Sequence, residues 1–257
     1  MNESIYRILP LLLVLEMLIS PMACAGYLQQ SDCDYFLEMN MNPPKDAIIK
    51  YDEKNKTVIQ LKGNNLSADL ENDENFKLLQ STDKYSDIAL AFICAHHSLF
   101  QLNAPSEELS VASRQTDDLG FTHIKFQQVY KGIPVWASEI NLHLNQQDHV
   151  YLVQGRYIPT PDKINTQPAV SEKEATDAVA EKLGKAKSGC PGCRSEIIVF
   201  ADAGMQPCLA YRIEASPGLT EGWEFIVDAT SGEVLKKLPA VFNRKTEAGR
   251  TAPAPME

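Results

Sequence analysis

The chain has 257 residues, 44% hydrophobic and 23% charged, which suits a folded protein with one large or two small cores and excludes a disordered one. Its formal net charge of −10 excludes the basic surface that a nucleic-acid partner requires.

The N-terminus comes first. Arg7 precedes an apolar stretch from Ile8 to Ile19, which runs into Ser20-Pro21-Met22-Ala23-Cys24-Ala25. A basic start, a hydrophobic run too short to span a bilayer and a small-x-small end make residues 1–25 a secretory signal peptide, with cleavage expected after Ala25. A lipidated Cys24 is the alternative, and membrane attachment is expected only then. No later stretch reaches the ~20 apolar residues of a membrane span. The expected location is therefore secreted, periplasmic or at the cell surface. Removing residues 1–25 leaves 23 basic and 32 acidic residues and five cysteines, Cys33, Cys94, Cys190, Cys193 and Cys208. In an oxidising compartment some of these should pair, and the odd count leaves one thiol over.

Residues 26–85 read as an N-terminal segment with little regular structure. Val58 to Lys62 is a short strand before the turn at Gly63, and the acidic stretch Asn64 to Lys84 reads as loop. From Ser86 and Asp87, the spacing of Ile88, Ala89, Phe92, Ile93 and Leu99 predicts an amphipathic helix over 86–97, with Cys94 near its apolar side. His96 and His97 follow one another, so on a helix they point about 100° apart and cannot share a metal. They read as surface residues near a helix C-terminus, where positive charge is tolerated.

Strand patterns follow. In 121–130, Ile124, Phe126 and Tyr130 alternate with His123, Lys125 and Gln127, the mark of a half-buried strand. Gly132-Ile133-Pro134 forms the bend, with Gly132 free to take a positive φ. The return strand sets Trp136, Ile140, Leu142 and Leu144 on one face and Ala137, Glu139, Asn141 and His143 on the other. With a third strand at 149–156, residues 86–157 form an α+β layer with one covered face. Pro159, Pro161 and Pro168 mark 158–168 as a linker.

A second layer is expected over 169–239. Ser171 and Glu174 form a capping box, and Ala175, Ala178, Val179 and Leu183 make the apolar stripe of a helix that ends at Gly184. Strands are expected at 196–200, 209–214, 223–228 and 233–238. Asp228 is placed to accept backbone N–H bonds in the turn before the last strand, with Gly232 in its left-handed position. Residues 240–257 form a polar, flexible tail with Pro253 and Pro255.

Catalytic motifs are missing. None of the five histidines sits in an H-E-x-x-H frame, and no G-x-S-x-G elbow, P-loop or Rossmann glycine pattern occurs. No catalytic residue, metal or cofactor is assigned. If the hairpin loop is Gly132–Pro134, His123 and His143 stand opposite each other on the polar face. With Lys125, Gln127 and Glu139 they make a surface for a partner; as a metal pair they would need a further ligand, such as Glu139. Cys190-Pro191-Gly192-Cys193 reads as a disulfide-stapled loop, with Cys208 as another pairing choice. A redox role lacks a helix beginning beside it, and a zinc knuckle lacks a fourth ligand. Asn55-Lys56-Thr57 and Asn65-Leu66-Ser67 are glycosylation sequons by pattern.

The run Thr122 to Trp136, with Gln127-Gln128, Tyr130, Gly132, Pro134-Val135 and Trp136, resembles the signature hairpin of thermolysin- and fungalysin-type metalloprotease propeptides. Residues 86–157 resemble the FTP domain of those propeptides. Residues 169–239 are similar to the PepSY domain that follows it, through Ser171 to Ala175, Leu209-Ala210-Tyr211 and the closing stretch from Trp223 to Leu235. Val58 to Leu66 resembles the strand-glycine segment that begins many such proregions. The resemblance implies two cystatin-like layers of helix and antiparallel sheet. It also implies a stand-alone propeptide-like protein that binds, inhibits or assists the folding of a thermolysin-type metallopeptidase in trans, with the tail placed to enter the active-site cleft. A truncated or inactive member of the protease-precursor family and an extracytoplasmic PepSY ligand-binding module are the alternatives. The departure is that the family continues into a zinc peptidase domain and this sequence stops.

Overall fold

The structure, a computed structural model, describes residues 30–82, 84–184, 192–202, 205–216 and 222–240. Its order is α1 (Gln30–Leu37), β1 (Ile48–Tyr51), β2 (Val58–Lys62), α2 (Glu74–Ser81), α3 (Tyr85–Ala95), α4 (His97–Phe100), α5 (Pro105–Glu108), β3 (Leu109–Thr116), β4 (Thr122–Tyr130), β5 (Ile133–Leu144), β6 (Val150–Arg156), α6 (Glu172–Lys182), β7 (Arg194–Phe200), β8 (Cys208–Ala215), β9 (Trp223–Asp228) and β10 (Val234–Pro239). The fold is α+β, as the patterning implies. β1-β2-β6-β5-β4-β3 form one antiparallel sheet and β7-β8-β9-β10 another. A single parallel pairing, Val135 with Val199, joins the two through β5 and β7.

Two main cores result, one per sheet. Alternation on β4 and β5 sends Ile124, Phe126, Ile140, Leu142 and Leu144 inward, where they meet α3. That helix is buried along its whole length from Asp87 to Ala95, not on one stripe. The reason lies upstream: α1 and α2 cover the side that an amphipathic helix would leave wet. The stretch Asn64 to Lys84 is thus not all loop. Asp73 caps α2 by accepting the N–H groups of Asn75 and Phe76, and Phe76 is buried edge-on to Phe36 of α1. A disulfide between Cys33 and Cys94 ties α1 to α3. His96 is also not a surface residue. It is 2% exposed, with its ring against Phe92 and its Nδ1 bonded to the Phe92 carbonyl.

In the second core, Ala175 and Val179 of α6 pack on Val199, Leu209, Tyr211, Ile213, Phe225 and Val227. The capping box is formed, with the Glu174 N–H donating to Ser171 Oγ and the Ser171 N–H to Glu174 Oε2. Residues 158–168 bind both units. Ile158 and Ile164 are buried in the second core, and the Thr160 N–H donates to the Gln101 carbonyl at the rim of the first.

Closing a loop of 61 residues between two helices constrains mainly the unfolded chain. The pair Cys33→Ser and Cys94→Ser is expected to lower stability by about 2–4 kcal/mol in urea denaturation. An unchanged midpoint would show that α1 docks without help from the bond.

Candidate partner-binding face and the joint beneath it

The site begins with an irregularity in β5. The hairpin turn is the two-residue Lys131-Gly132, at φ 50° and 80°, and Tyr130 pairs with Ile133. From there β5 runs from Pro134 to Glu139 while β4 advances only from Val129 to Gln127. The surplus residues leave the ladder as a bulge around Ala137, whose φ of 51° is left-handed. The bulge frees Val135 to pair with β7 and turns Trp136 away from the face of Ile140, Leu142 and Leu144, where alternation had placed it. Trp136 instead lies on Phe200 of the second sheet and donates its indole N–H to Glu224 at 2.9 Å.

The two motif glutamines hold this joint. The Gln127 amide nitrogen reaches the carbonyl oxygens of Val135 and Ser138 at 2.8 and 3.0 Å, acceptors that the bulge has taken out of the ladder. Gln128 points inward. Its amide donates to the Ile158 carbonyl at 2.8 Å and accepts the Ile158 N–H at 3.1 Å, as a neighbouring strand would. The Tyr130 hydroxyl accepts the Ile164 N–H at 3.2 Å. Gly155 of β6 passes so close that a Cβ there would stand 2.3 Å from the Glu139 carbonyl oxygen. A cleft of about 1090 Å³ opens beside the bulge, lined by Trp136, Ser138, Arg156 and Met205 among others.

The bulge also sets the outer face. It shifts the register so that His123 stands opposite His143, Lys125 opposite Asn141 and Gln127 opposite Glu139. The histidines therefore do face each other, but the offset comes from the bulge and not from a three-residue loop. Their Nδ1 atoms are 2.6 Å apart, and His123 Nε2 lies 3.3 Å from Asp117 Oδ2. In the sequence, Asp117 is marked only by its position just before the turn into β4, six residues ahead of His123. Backbone N–H bonds, led by that of Phe121, and then His123 hold the Asp117 carboxyl below its ordinary range. Burial, then the charge of His123, presses His143 from 6.5 down to about 4. Glu139 bonds Lys125 at 3.0 Å, which holds its carboxyl low too, and both side chains remain over 40% exposed. Glu139 therefore answers Lys125 on the neighbouring rung and does not complete a ligand set with the histidines.

The remaining motif residues sit in the second unit. Asp228 Oδ1 accepts the N–H groups of Thr230 and Ser231, Gly232 has a φ of 76°, and Trp223 lies under the Lys237 ammonium. Cys193 is disulfide-bonded, while Cys190, its expected partner in the stapled loop, lies outside the described residues. Cys208 is a free, half-buried thiol, pushed up to about 11 by burial and by Asp228, so it does not share in that pairing. Residues 1–25 and the tail beyond Ala240 also lie outside the described residues. No group of three or more metal-ligating side chains, and no helix long and apolar enough to cross a membrane, occurs among the described residues.

Since Gln127 serves the backbone, Gln127→Ala leaves two bulge carbonyls unanswered and is expected to cost about 1–3 kcal/mol. Urea denaturation measures it; a loss within error would mean that water replaces the amide at no cost.

Comparison with known proteins points the same way as the hairpin. Residues 107–157, which hold β3 to β6, match the Fungalysin/Thermolysin Propeptide Motif. The chain is 30% identical over 189 residues to a thermolysin of Alicyclobacillus acidocaldarius subsp. acidocaldarius, covering 67% of this chain and 33% of that protein. It is 29% identical over 154 residues to a bacillolysin of Bacillus amyloliquefaciens, covering 55% of this chain and 29% of the relative. The chain therefore spans about a third of the length of these relatives. Among solved structures, the Bacillus megaterium YpeB C-terminal domain aligns over 83% of this chain and 98% of its own, at 10% identity and a TM-score of 0.35, too slight a likeness to carry an argument. Residues 107–157, with the hairpin that carries Gln127 to Trp136, are thus similar to the propeptide motif of thermolysin- and fungalysin-type proteases.

Proposed function

We propose that this chain is a secreted, non-catalytic propeptide-like protein that binds a thermolysin-type metallopeptidase in trans, and either inhibits it or assists its folding. The observation that carries the reading is the propeptide motif lying on a hairpin whose outer face is polar and half-exposed while its inner face is sealed against helices. Such a sheet face presents side chains on fixed rungs, so a partner that docks there meets little loss of conformational freedom. His123, His143, Lys125 and Glu139 supply the exposed polar contacts, and Gln127 holds the backbone that carries them. Opposite charges on Lys125 and Glu139 favour a partner patch with its own paired charges. The signal-peptide pattern of residues 1–25 supports export, and the tail 240–257 is the segment proposed to approach the peptidase cleft.

The mature chain 26–257 is expected to inhibit a thermolysin-type peptidase from the same organism in a peptide-cleavage assay. Lys125→Glu, placed among the partner contacts, is expected to weaken that inhibition by about tenfold, mainly through slower association at low salt. Deleting 243–257 is expected to weaken inhibition with little change in folding stability. Failure to bind or inhibit any such peptidase of that organism removes the reading.

A further inference from the structure

The imidazole pair between β4 and β5 is a feature that neither the strand pattern nor the joint requires. Nδ1 atoms 2.6 Å apart leave room for one hydrogen only. Asp117 accepts from His123 Nε2, so in neutral His123 the Nδ1 atom is bare and accepts the Nδ1–H of His143. That leaves His143 Nε2 as a lone pair. It is buried with no hydrogen-bond partner among the described residues, where a lone pair costs less than an N–H would.

We propose that the His123–His143 pair is a proton-operated latch on the partner-facing sheet surface, closed while one hydrogen is shared between the rings and opened when both rings are protonated. This rests on the reading of that face as partner-binding. A first added proton keeps a single hydrogen between the rings when the shared hydrogen passes to His123 Nδ1 and the added one rests on His143 Nε2, a buried nitrogen without a partner among the described residues. A second proton sets two N–H groups against each other and two positive charges on facing rungs. The surroundings offer little to offset them. Gln115 of β3 lies across from His123, Leu152 of β6 across from His143, and Tyr151 of β6 has its ring 6.1 Å from His143. On the next rung stand Asn141 and Lys125, the latter paired with Glu139. The Asp117 carboxylate already serves His123. The doubly protonated rings separate, and the β4–β5 rung at the outer end of the hairpin opens.

The sign follows from the depressed proton affinity of His143. Its neutral form stabilises the fold fully above the ordinary 6.5, and that stability is lost as the pH falls from 6.5 toward about 4, where the unfolded chain binds the proton first. Between about pH 7.5 and about pH 5, the folded-to-unfolded ratio of the wild type should fall by up to roughly 30-fold more than that of a His123→Gln, His143→Gln variant. Equal pH dependence of the two proteins overturns the latch. Should the variant not fold, ring-proton NMR of the wild type decides. His143 should stay neutral until the pH nears 4; titration of both rings near their ordinary value overturns the proposal. Binding to an inactivated thermolysin-type peptidase is then compared at about pH 7.5 and about pH 4, where half of the His143 rings carry the second proton, with a loss of about twofold expected in the wild type and a smaller loss in the variant. Equal losses in both overturn the latch. Absence of binding at either pH, beside the expected titration, overturns the partner reading while the titration still supports the latch.

Discussion

A strand that must serve two sheets cannot keep one ladder along its whole length. β5 pairs with β4 and β6 at its far end and with β7 at Val135, and the bulge at Ala137 is where it changes partners. A bulge strands backbone carbonyls, and stranded carbonyls in a half-buried place cost about as much as a lost hydrogen bond. Gln127 and Gln128 answer that cost from the two sides of β4, one for the bulge and one for the strap after β6. Tyr130 and Trp136 then carry the same hairpin into the second unit, through the strap at Ile164 and through Glu224. The signature of this hairpin is in large part the signature of a joint between two cores.

What the joint provides is a rigid outer face. The inner side of the first sheet is fixed by an all-round buried helix and by the Cys33–Cys94 bond, so the outer rungs hold their register. The bulge sets that register, and with it the two histidines come face to face while Lys125 meets Glu139. A surface whose polar groups are already placed loses little conformational freedom when a partner docks, which is what the proposed role asks of it. The proton dependence of the histidine pair makes the same surface responsive to pH without any moving domain.

Much of this was legible in the sequence, and the lapses have physical causes. Alternation locates β4, which has one buried and one wetter face, and also β8 and β9, although Ala210 and Ile226 bury the second face of those strands as well. It misplaced Trp136, since one left-handed residue, Ala137, resets the phase and no glycine announced it. The opposition of His123 and His143 was reached through a longer loop, whereas the extra residues lie within β5. α2 is hidden in an acidic stretch that patterns as loop, because Phe76 is the single residue of that helix that is fully buried. α3 looked amphipathic because its length cannot reveal a second layer formed from α1 and α2. Residue type puts His96 at the surface, yet a ring stacked on Phe92 with one nitrogen bonded to backbone is buried at little cost. The pairing of Cys33 with Cys94 was open to sequence only as one choice among several.

The central claim is that the outer face of β4 and β5, held by the bulge, is where a thermolysin-type peptidase docks. Chemical-shift mapping of the mature chain against an inactivated peptidase tests it most directly. The account predicts shifts concentrated at His123, Lys125, Glu139, Asn141 and His143, with α6 and the β8–β9 core unmoved. Shifts confined to the second sheet, or none at saturating peptidase, would contradict it.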